Sequence, residues 1–113
     1  MYSWGRHRRG KYDAKPTVVD GIRFHSKKEA KRYGELKLLV LAGLIDTLEL
    51  QPKFPLKVNG ILITTYIGDF RYRLKEDGAW RSVVEDAKGF RTREYRLKKK
   101  LLLALHGIEV REV

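Results

Sequence analysis

The stretch that decides the fold is residues 80–113, WRSVVEDAKGFRTREYRLKKKLLLALHGIEVREV. Trp80 to Lys88 is predicted to form a strand, which Gly89 ends. A helix is predicted over residues 93–105, because a threonine can cap its first turn and a glycine can stop it. Ile108 to Val113 alternates apolar and charged residues, which is typical of a strand. The mixture of strands and helices predicts an α/β fold.

An earlier helix is predicted over residues 27–42. Ser26 and Glu29 have the spacing of a capping box, and Gly43 is a C-terminal stop signal. Residues 38–41 are all leucine or valine, which is more apolar surface than one helix face buries. Part of this helix is therefore expected to meet another subunit.

In the second helix, Leu97, Leu101 and Leu105 recur at helical spacing and are predicted to face the core. Leu102 and Leu103 widen that apolar face toward a second possible dimer contact.

The segments outside the helices are rich in strand and turn signals. Thr17 to Phe24 is predicted to be a hairpin of two short strands around an Asp-Gly turn. Asp46 to Val58 contains two prolines, which confine it to short or edge strands. Asn59-Gly60 is a strong hairpin signal that joins this segment to the β-rich run Ile61–Leu74. The predicted core order is helix, strand, strand, strand, helix, strand.

The bulk composition indicates a soluble protein with an anionic partner. The chain has 113 residues, no cysteine and a formal net charge of +11. The length fits one domain, placed at residues 17–113, and the charge favours nucleic acid as the partner. No apolar run is long enough to span a membrane and the N-terminus lacks a signal-peptide stretch, so a cytoplasmic location is expected.

Residues 1–16 are predicted to form a flexible basic arm. Two interpretations of the arm carry equal weight: contact with a phosphate backbone, and a tail that only keeps the protein in solution. The cations assigned to DNA binding in the first case are Arg6, Arg8, Arg9 and Lys11.

The residues that point to chemistry lie at the end of the strand before Gly89. Alternation along a strand places Asp86 and Lys88 on one face and Glu85 on the other. An antiparallel neighbour strand can bring Asp69 beside Asp86, and two such carboxylates repel each other unless a cation lies between them. Oxygen ligands suit Mg²⁺ or Mn²⁺, and a lysine beside the metal can stabilise charge that develops on a phosphate. In a basic domain this combination indicates phosphodiester hydrolysis.

Gly68-Asp69 followed by Asp86-Ala87-Lys88 resembles the PD-(D/E)xK signature of restriction-endonuclease-like nucleases. The helix that carries Glu29 resembles the one that supplies an extra acid in archaeal-type Holliday-junction resolvases. The wider pattern, which is similar to a family of small basic phage-encoded proteins placed among these nucleases, comprises KYDAKPTVVDGIRFHSKKEAKRYGELKLL, LELQPKF, TYIGDFRY, VVEDAKGFRTREYRLKKKLL and IEVREV.

The resemblance implies a mixed sheet with helices on both faces, Mg²⁺ dependence with Mn²⁺ able to substitute, and a homodimer. It implies cleavage of branched DNA in a phage-infected bacterial host, with no small-molecule cofactor. Asp69, Asp86 and Glu29 would be metal ligands, and Lys88 the catalytic lysine. The chain departs from the signature where Gly68 replaces its proline. It also departs where Asp86 replaces the commoner glutamate, next to a Glu85 that a register slip of one residue would turn into the site.

Each of these residues also has a plain structural interpretation. Glu29 can be the reciprocal cap of Ser26, and Asp69 can be a strand-end or turn acid. Glu85 and Asp86 can be surface acids that balance nearby arginines, and Lys88 can be one more solvated lysine. Gln51 is a weaker site candidate, for which a loop hydrogen bond is at least as good an explanation. Residues at the start of the second helix and along it are predicted to contact phosphates, and the plain alternative is a solvated helix face. These residues are Arg91, Arg93, Tyr95, Arg96, Lys98, Lys99 and Lys100.

Two other functions remain open from the sequence. One is a non-catalytic DNA-binding accessory protein of recombination that retains the nuclease fold. The other is a basic structural protein that binds RNA or takes part in assembly.

Overall fold

The computed structural model describes residues 16–87 and 91–113. All four cations assigned to the predicted arm lie outside these ranges, as does Lys88. The described part contains two helices and eight strands, which follow one another as β1 (Thr17–Val19), β2 (Ile22–Phe24), α1 (Lys27–Leu41), β3 (Ile45–Leu50), β4 (Lys53–Val58), β5 (Ile61–Ile67), β6 (Phe70–Glu76), β7 (Ala79–Asp86), α2 (Arg93–His106) and β8 (Val110–Glu112).

The central sheet has four strands in the order β3-β6-β7-β8. β6 pairs antiparallel with both β3 and β7, while β8 pairs parallel with β7, so the sheet is mixed. β1 pairs with β2, and β4 pairs with β5, in two separate hairpins. The α/β class and the mixed sheet are confirmed. When the β1–β2 and β4–β5 hairpins are set aside, the remaining elements follow one another as α1, β3, β6, β7, α2 and β8.

The prediction for residues 46–74 was wrong in its number of strands. The segment Asp46–Val58 divides into β3 and β4 at Gln51-Pro52, and the run Ile61–Leu74 divides into β5 and β6 at Gly68-Asp69. Proline has no N–H to donate to a sheet, and Gln51 adopts a left-handed φ of 51° that turns the chain. Two predicted runs therefore become four strands that belong to two different sheets.

The two helices cover opposite faces of the central sheet. α1 packs against one face through Tyr33 and Leu36, which belong to the same apolar cluster as Phe70 and Tyr72. The other face is covered by α2 together with the β4–β5 hairpin. The cluster on this face consists of Phe54, Leu56, Tyr66, Val84, Tyr95, Leu102 and Val110.

The core face of α2 differs from the prediction. Leu102 is fully buried, whereas Leu97 and Leu105 are 59% and 39% exposed. The prediction failed because leucine fills so many positions of this helix that spacing alone does not fix the inner face. At the end of α1, Leu38 and Leu41 are exposed, as their excess over one buried face led us to expect. Within the described ranges, neither helix has the length and apolar character to cross a membrane.

Candidate active site

Asp69 and Asp86 lie on neighbouring strands of the central sheet, where β6 begins and β7 ends. The backbone N–H of Asp69 donates to the carbonyl of Glu85 at 3.1 Å, next to the register pair of Phe70 and Glu85. The Asp69 carboxylate in turn accepts a hydrogen bond from the backbone N–H of Ala87, with 2.7 Å between Oδ2 and N. The side chain of Asp69 is therefore held against the residue next to Asp86.

Asp86 is fully buried and its carboxylate is held by Tyr66 of the β4–β5 hairpin. The Tyr66 hydroxyl donates to Oδ2 of Asp86 at 2.5 Å. Burial raises the pKa of the Tyr66 hydroxyl, and the bond to Asp86 and the charges of Asp86 and Asp69 raise it further. Tyr66 is therefore a permanent donor at neutral pH. The sequence alone does not indicate this contact, because no local pattern shows which strand the Tyr66 hydroxyl reaches.

Glu85 faces the opposite side of the sheet, toward α1. Its two carboxylate oxygens accept from Nε and Nη2 of Arg32 at 2.8 and 2.6 Å, and Tyr72 donates a further hydrogen bond to it. The hydrogen bonds to Glu85 raise the pKa of the Arg32 guanidinium despite its partial burial. Glu85 is thus held in a buried ion pair on the α1 face. The register slip left open by the sequence is not observed, and the face that carries Asp69 receives Asp86.

Glu29 is buried in the first turn of α1 and takes part in capping. Its backbone N–H donates to the Ser26 hydroxyl at 3.1 Å, and its Oε1 accepts from the backbone N–H of His25 at 3.1 Å. This is the predicted reciprocal cap with its second donor one residue earlier than in a standard capping box. A ligand role for Glu29 stays a prediction. Over residues 16–87 and 91–113, no three His, Cys, Asp or Glu side chains are grouped closely enough to hold a metal ion.

One family model, described as "Protein of unknown function (DUF1064)", matches residues 9–111. The chain belongs to this family. Searches of curated proteins and of solved structures returned no match. The matched span of the DUF1064 chain includes all four predicted catalytic residues, Glu29, Asp69, Asp86 and Lys88.

Gln51 of the DUF1064 chain supports Asp69 through its backbone. Its N–H donates to the Asp69 carbonyl at 2.9 Å, and the N–H of Gly68 donates to the carbonyl of Pro52 at 3.0 Å. These two bonds tie the turn before β4 to the turn before β6. The Gln51 side chain itself is exposed, so the loop hydrogen bond considered from the sequence is present, but it is made by the main chain.

The cations that are predicted to contact phosphate, at the start of α2 and along it, differ in their exposure and in their ion pairs. Arg93 is exposed, and Lys98 forms an ion pair with Glu94 at 3.1 Å. Arg91 and Lys99 both pair with Glu112 of β8, at 2.8 and 3.2 Å.

Tyr95, which is also predicted to contact phosphate, is mostly buried, and that contact stays a prediction. Its ring is 7% exposed within the apolar cluster, and its hydroxyl donates to Glu112 at 2.8 Å. Its position is that of a core residue that orients Glu112, because the aromatic ring fills space between α2 and the sheet.

A cleft of about 260 Å³ lies next to Tyr66, between β5 and the start of α2. Its wall includes the hydroxyl-bearing side chains of Thr65, Thr92 and Tyr95, with Lys98 also lining it. Tyr66 lines the cleft and also binds Asp86, whereas neither Asp69 nor Asp86 is among the residues that line the cleft.

The two carboxylates fit a magnesium ion by their chemistry. Mg²⁺ is commonly bound by one or two carboxylates, with waters and substrate phosphate oxygens completing its shell. Asp86 is fully buried and Asp69 is partly buried, so a negative charge on either carboxylate is less screened by solvent than a charge at the surface. Asp69 and Asp86 are the two described residues that would offer carboxylate oxygens to such an ion, and a metal site here stays a prediction.

Proposed function

We propose that this protein is a Mg²⁺-dependent endonuclease that hydrolyses phosphodiester bonds of DNA. The observation that carries the proposal is the hydrogen bond from Ala87 N to Asp69 Oδ2, which brings that carboxylate to the residue beside the buried Asp86. Two acids at adjoining strand ends, in a chain of net charge +11, combine a site for a hard cation with attraction for a polyanion. The order α1, β3, β6, β7, α2, β8 supports a restriction-endonuclease-like core.

In this proposal each residue has a defined task. Asp69 and Asp86 hold the metal, and Tyr66 orients Asp86 by donating to one of its oxygens. The bound metal would supply electrostatic stabilisation of the phosphate and an activated water. Lys88 stays the predicted catalytic lysine, and Glu29 the predicted additional acid. Mn²⁺ would substitute for Mg²⁺, because both prefer oxygen ligands.

Branched DNA and a homodimer belong to the same proposal. The exposed apolar side chains at the end of α1, which include Leu38, Leu41 and Leu44, support contact with a second copy. A two-fold dimer would place two sites so that both strands of a junction are cut symmetrically. The preference for branched substrates rests on the family resemblance of the sequence.

The test compares three aspartate variants that each lose one negative charge. We expect Asp86→Asn and Asp69→Asn to lower cleavage of a four-way junction by about 100-fold or more in Mg²⁺, with DNA binding retained. The matched control is Asp77→Asn in the β6–β7 turn, where φ is 51° and asparagine is well accommodated. The control should cut as wild type does.

Either of two results would contradict the proposal. If Asp86→Asn cuts as fast as wild type, the site is misassigned. If wild type cuts no linear, flapped or junction DNA with Mg²⁺ or Mn²⁺, the nuclease proposal fails.

A second candidate function is DNA binding without catalysis, as in an accessory protein of recombination. This candidate is favoured by the small number of predicted ligands at the site, which are Asp69 and Asp86. Among the described residues, no third acid completes a cluster that could hold a metal ion. This candidate predicts that Asp86→Asn leaves the protein with unchanged or tighter DNA binding, and that the wild type has no cleavage to lose.

A further inference from the structure

A hollow of about 310 Å³ separates α2 from β8 on the side of the helix away from the cleft. Leu103 and Val110 give it an apolar wall. Its other lining residues are mostly cations. The four cations of this surface, which we call the α2–β8 surface, are Arg91, Arg96, Lys99 and Lys100.

The charge of the α2–β8 surface is only partly neutralised by its own acids. Two carboxylates, Glu109 and Glu112, line the same hollow as the four cations. Burial opposes the charge of Glu112, but hydrogen bonds from Tyr95, Lys99 and Arg91 outweigh it and hold the pKa of Glu112 below its usual value. Glu112 therefore stays ionised at neutral pH, and one carboxylate is shared by two cations. The hollow keeps an excess of positive charge.

The two remaining cations are oriented outward. Arg96 is exposed, and its Nη1 donates to the backbone carbonyl of Arg91 at 2.9 Å, which holds its guanidinium near the start of α2. Lys100 is exposed one helical turn later. Residues four apart lie on the same side of a helix about 6 Å apart along its axis. A row of cations at this spacing suits successive phosphates of a nucleic-acid strand.

The position of the surface links it to the carboxylate pair. β8 pairs in parallel with β7, and Glu112 is the register partner of Asp86. Neighbouring strands lie about 4.8 Å apart, so the backbone of Glu112, which pairs with Arg91 and Lys99, is directly beside the backbone of Asp86. A phosphate backbone that reaches Asp86 from this side would pass over the α2–β8 surface.

We propose that the α2–β8 surface binds the phosphate backbone of duplex DNA beside the scissile phosphate, with Glu112 as the internal counter-ion that orients Arg91 and Lys99. This inference rests on the DNA-binding part of the proposed function and is independent of cleavage. It assigns binding to Arg96 and Lys100, and it places Lys98 on the other side of α2, where it lines the cleft.

The experiment measures the affinity of a labelled DNA duplex as a function of NaCl concentration, in EDTA so that no cleavage occurs. The test variant is Arg96→Gln with Lys100→Gln, because both side chains are exposed and glutamine is a good helix former. The control is Arg23→Gln with Lys31→Gln, which removes one exposed arginine and one exposed lysine on the α1 side of the sheet.

Loss of two phosphate contacts should reduce the slope of log K against log salt by about 1.8, and weaken binding by up to about 60-fold at 0.1 M salt. The control pair should leave the slope within about 0.5 of wild type. An equal decrease for both pairs would mean diffuse attraction by net charge, and would overturn the inference, as would an unchanged slope for the test pair.

The two proposals fail in different ways. If the test pair has a normal slope and Asp86→Asn loses cutting, the proposal for the α2–β8 surface is rejected and the nuclease proposal is retained. If the test pair has a reduced slope and the wild type never cuts, the proposal for the α2–β8 surface is retained and the nuclease proposal is rejected.

Discussion

The ion pair between Arg32 and Glu85 allows a direct test of how burial determines the strength of a salt bridge. In the Arg32→Met variant, a carboxylate that is 0% exposed loses both guanidinium hydrogen bonds, at 2.8 and 2.6 Å. Removing one partner of a buried pair costs about 3–5 kcal/mol, because the other charge stays buried without compensation. The Arg32 side chain is 22% exposed, so we expect the lower end of that range, about 3 kcal/mol.

The chain contains a matched exposed pair for comparison. Arg73 binds Asp46 with the same two-point geometry, Nε to Oδ1 at 2.7 Å and Nη2 to Oδ2 at 2.6 Å. The Arg73 side chain is 48% exposed and the Asp46 side chain is 39% exposed, so water solvates both ions when the pair is broken. Arg73→Met should therefore lower the free energy of unfolding much less than Arg32→Met, although it also removes the stacking of Arg73 on Trp80.

The assay is urea unfolding followed by circular dichroism. With an m-value of about 1.5 kcal/mol/M, the expected loss for Arg32→Met moves the midpoint by about 2 M. Adding Glu85→Gln to Arg32→Met removes the buried charge and should restore more than half of the loss. Equal midpoints for the Arg32 and Arg73 variants, or no recovery in the double variant, would refute the argument that desolvation of Glu85 sets the cost.

Two further predictions concern the site and its surroundings. Tyr66→Phe removes a donor from the buried Asp86 carboxylate, so we expect cleavage and Mg²⁺ affinity to fall about 10–100-fold, with DNA affinity in EDTA unchanged; a variant with normal turnover would show that this hydrogen bond does not orient the ligand. Glu112 has a folded-state pKa below its ordinary value of 4.5, so its contribution to stability is present above that pH and is lost as pH falls through the lowered value. Glu112→Gln should therefore flatten the acid side of the stability–pH curve, measured by thermal unfolding between pH 6 and 3, and a curve as steep as that of wild type would contradict this.

The helices could be predicted closely because their ends depend on local residues. α1 begins at Lys27 as predicted and ends one residue before the predicted end, and α2 begins at Arg93 as predicted and ends one residue later. In both helices a side chain caps the first turn: Ser26 accepts from Glu29 N, and Thr92 accepts from Tyr95 N. Such contacts span three residues, so they can be recognised in the sequence.

The division of the strands between sheets could not be predicted, because it depends on contacts distant in the chain. The alternation rule correctly placed Glu85 and Asp86 on opposite faces of β7. The partners that fix those faces are separated from them by 53 residues for Arg32 and 20 residues for Tyr66. No short-range pattern indicates either contact. The hydrogen bond from Tyr66 to Asp86 and the ion pair of Arg32 with Glu85 were therefore missed.

The β4–β5 hairpin has a consequence for length variation among proteins of this fold. It stands outside the four-stranded sheet, and its turn at Asn59-Gly60 is exposed, so insertions and deletions there should be accepted. The base of the hairpin is different, because the N–H of Gly68 donates to the carbonyl of Pro52 there and the Tyr66 side chain binds Asp86 of the central sheet. Chains of different length should therefore vary at the tip of this hairpin in steps that preserve pairing, while its first and last residues keep their spacing.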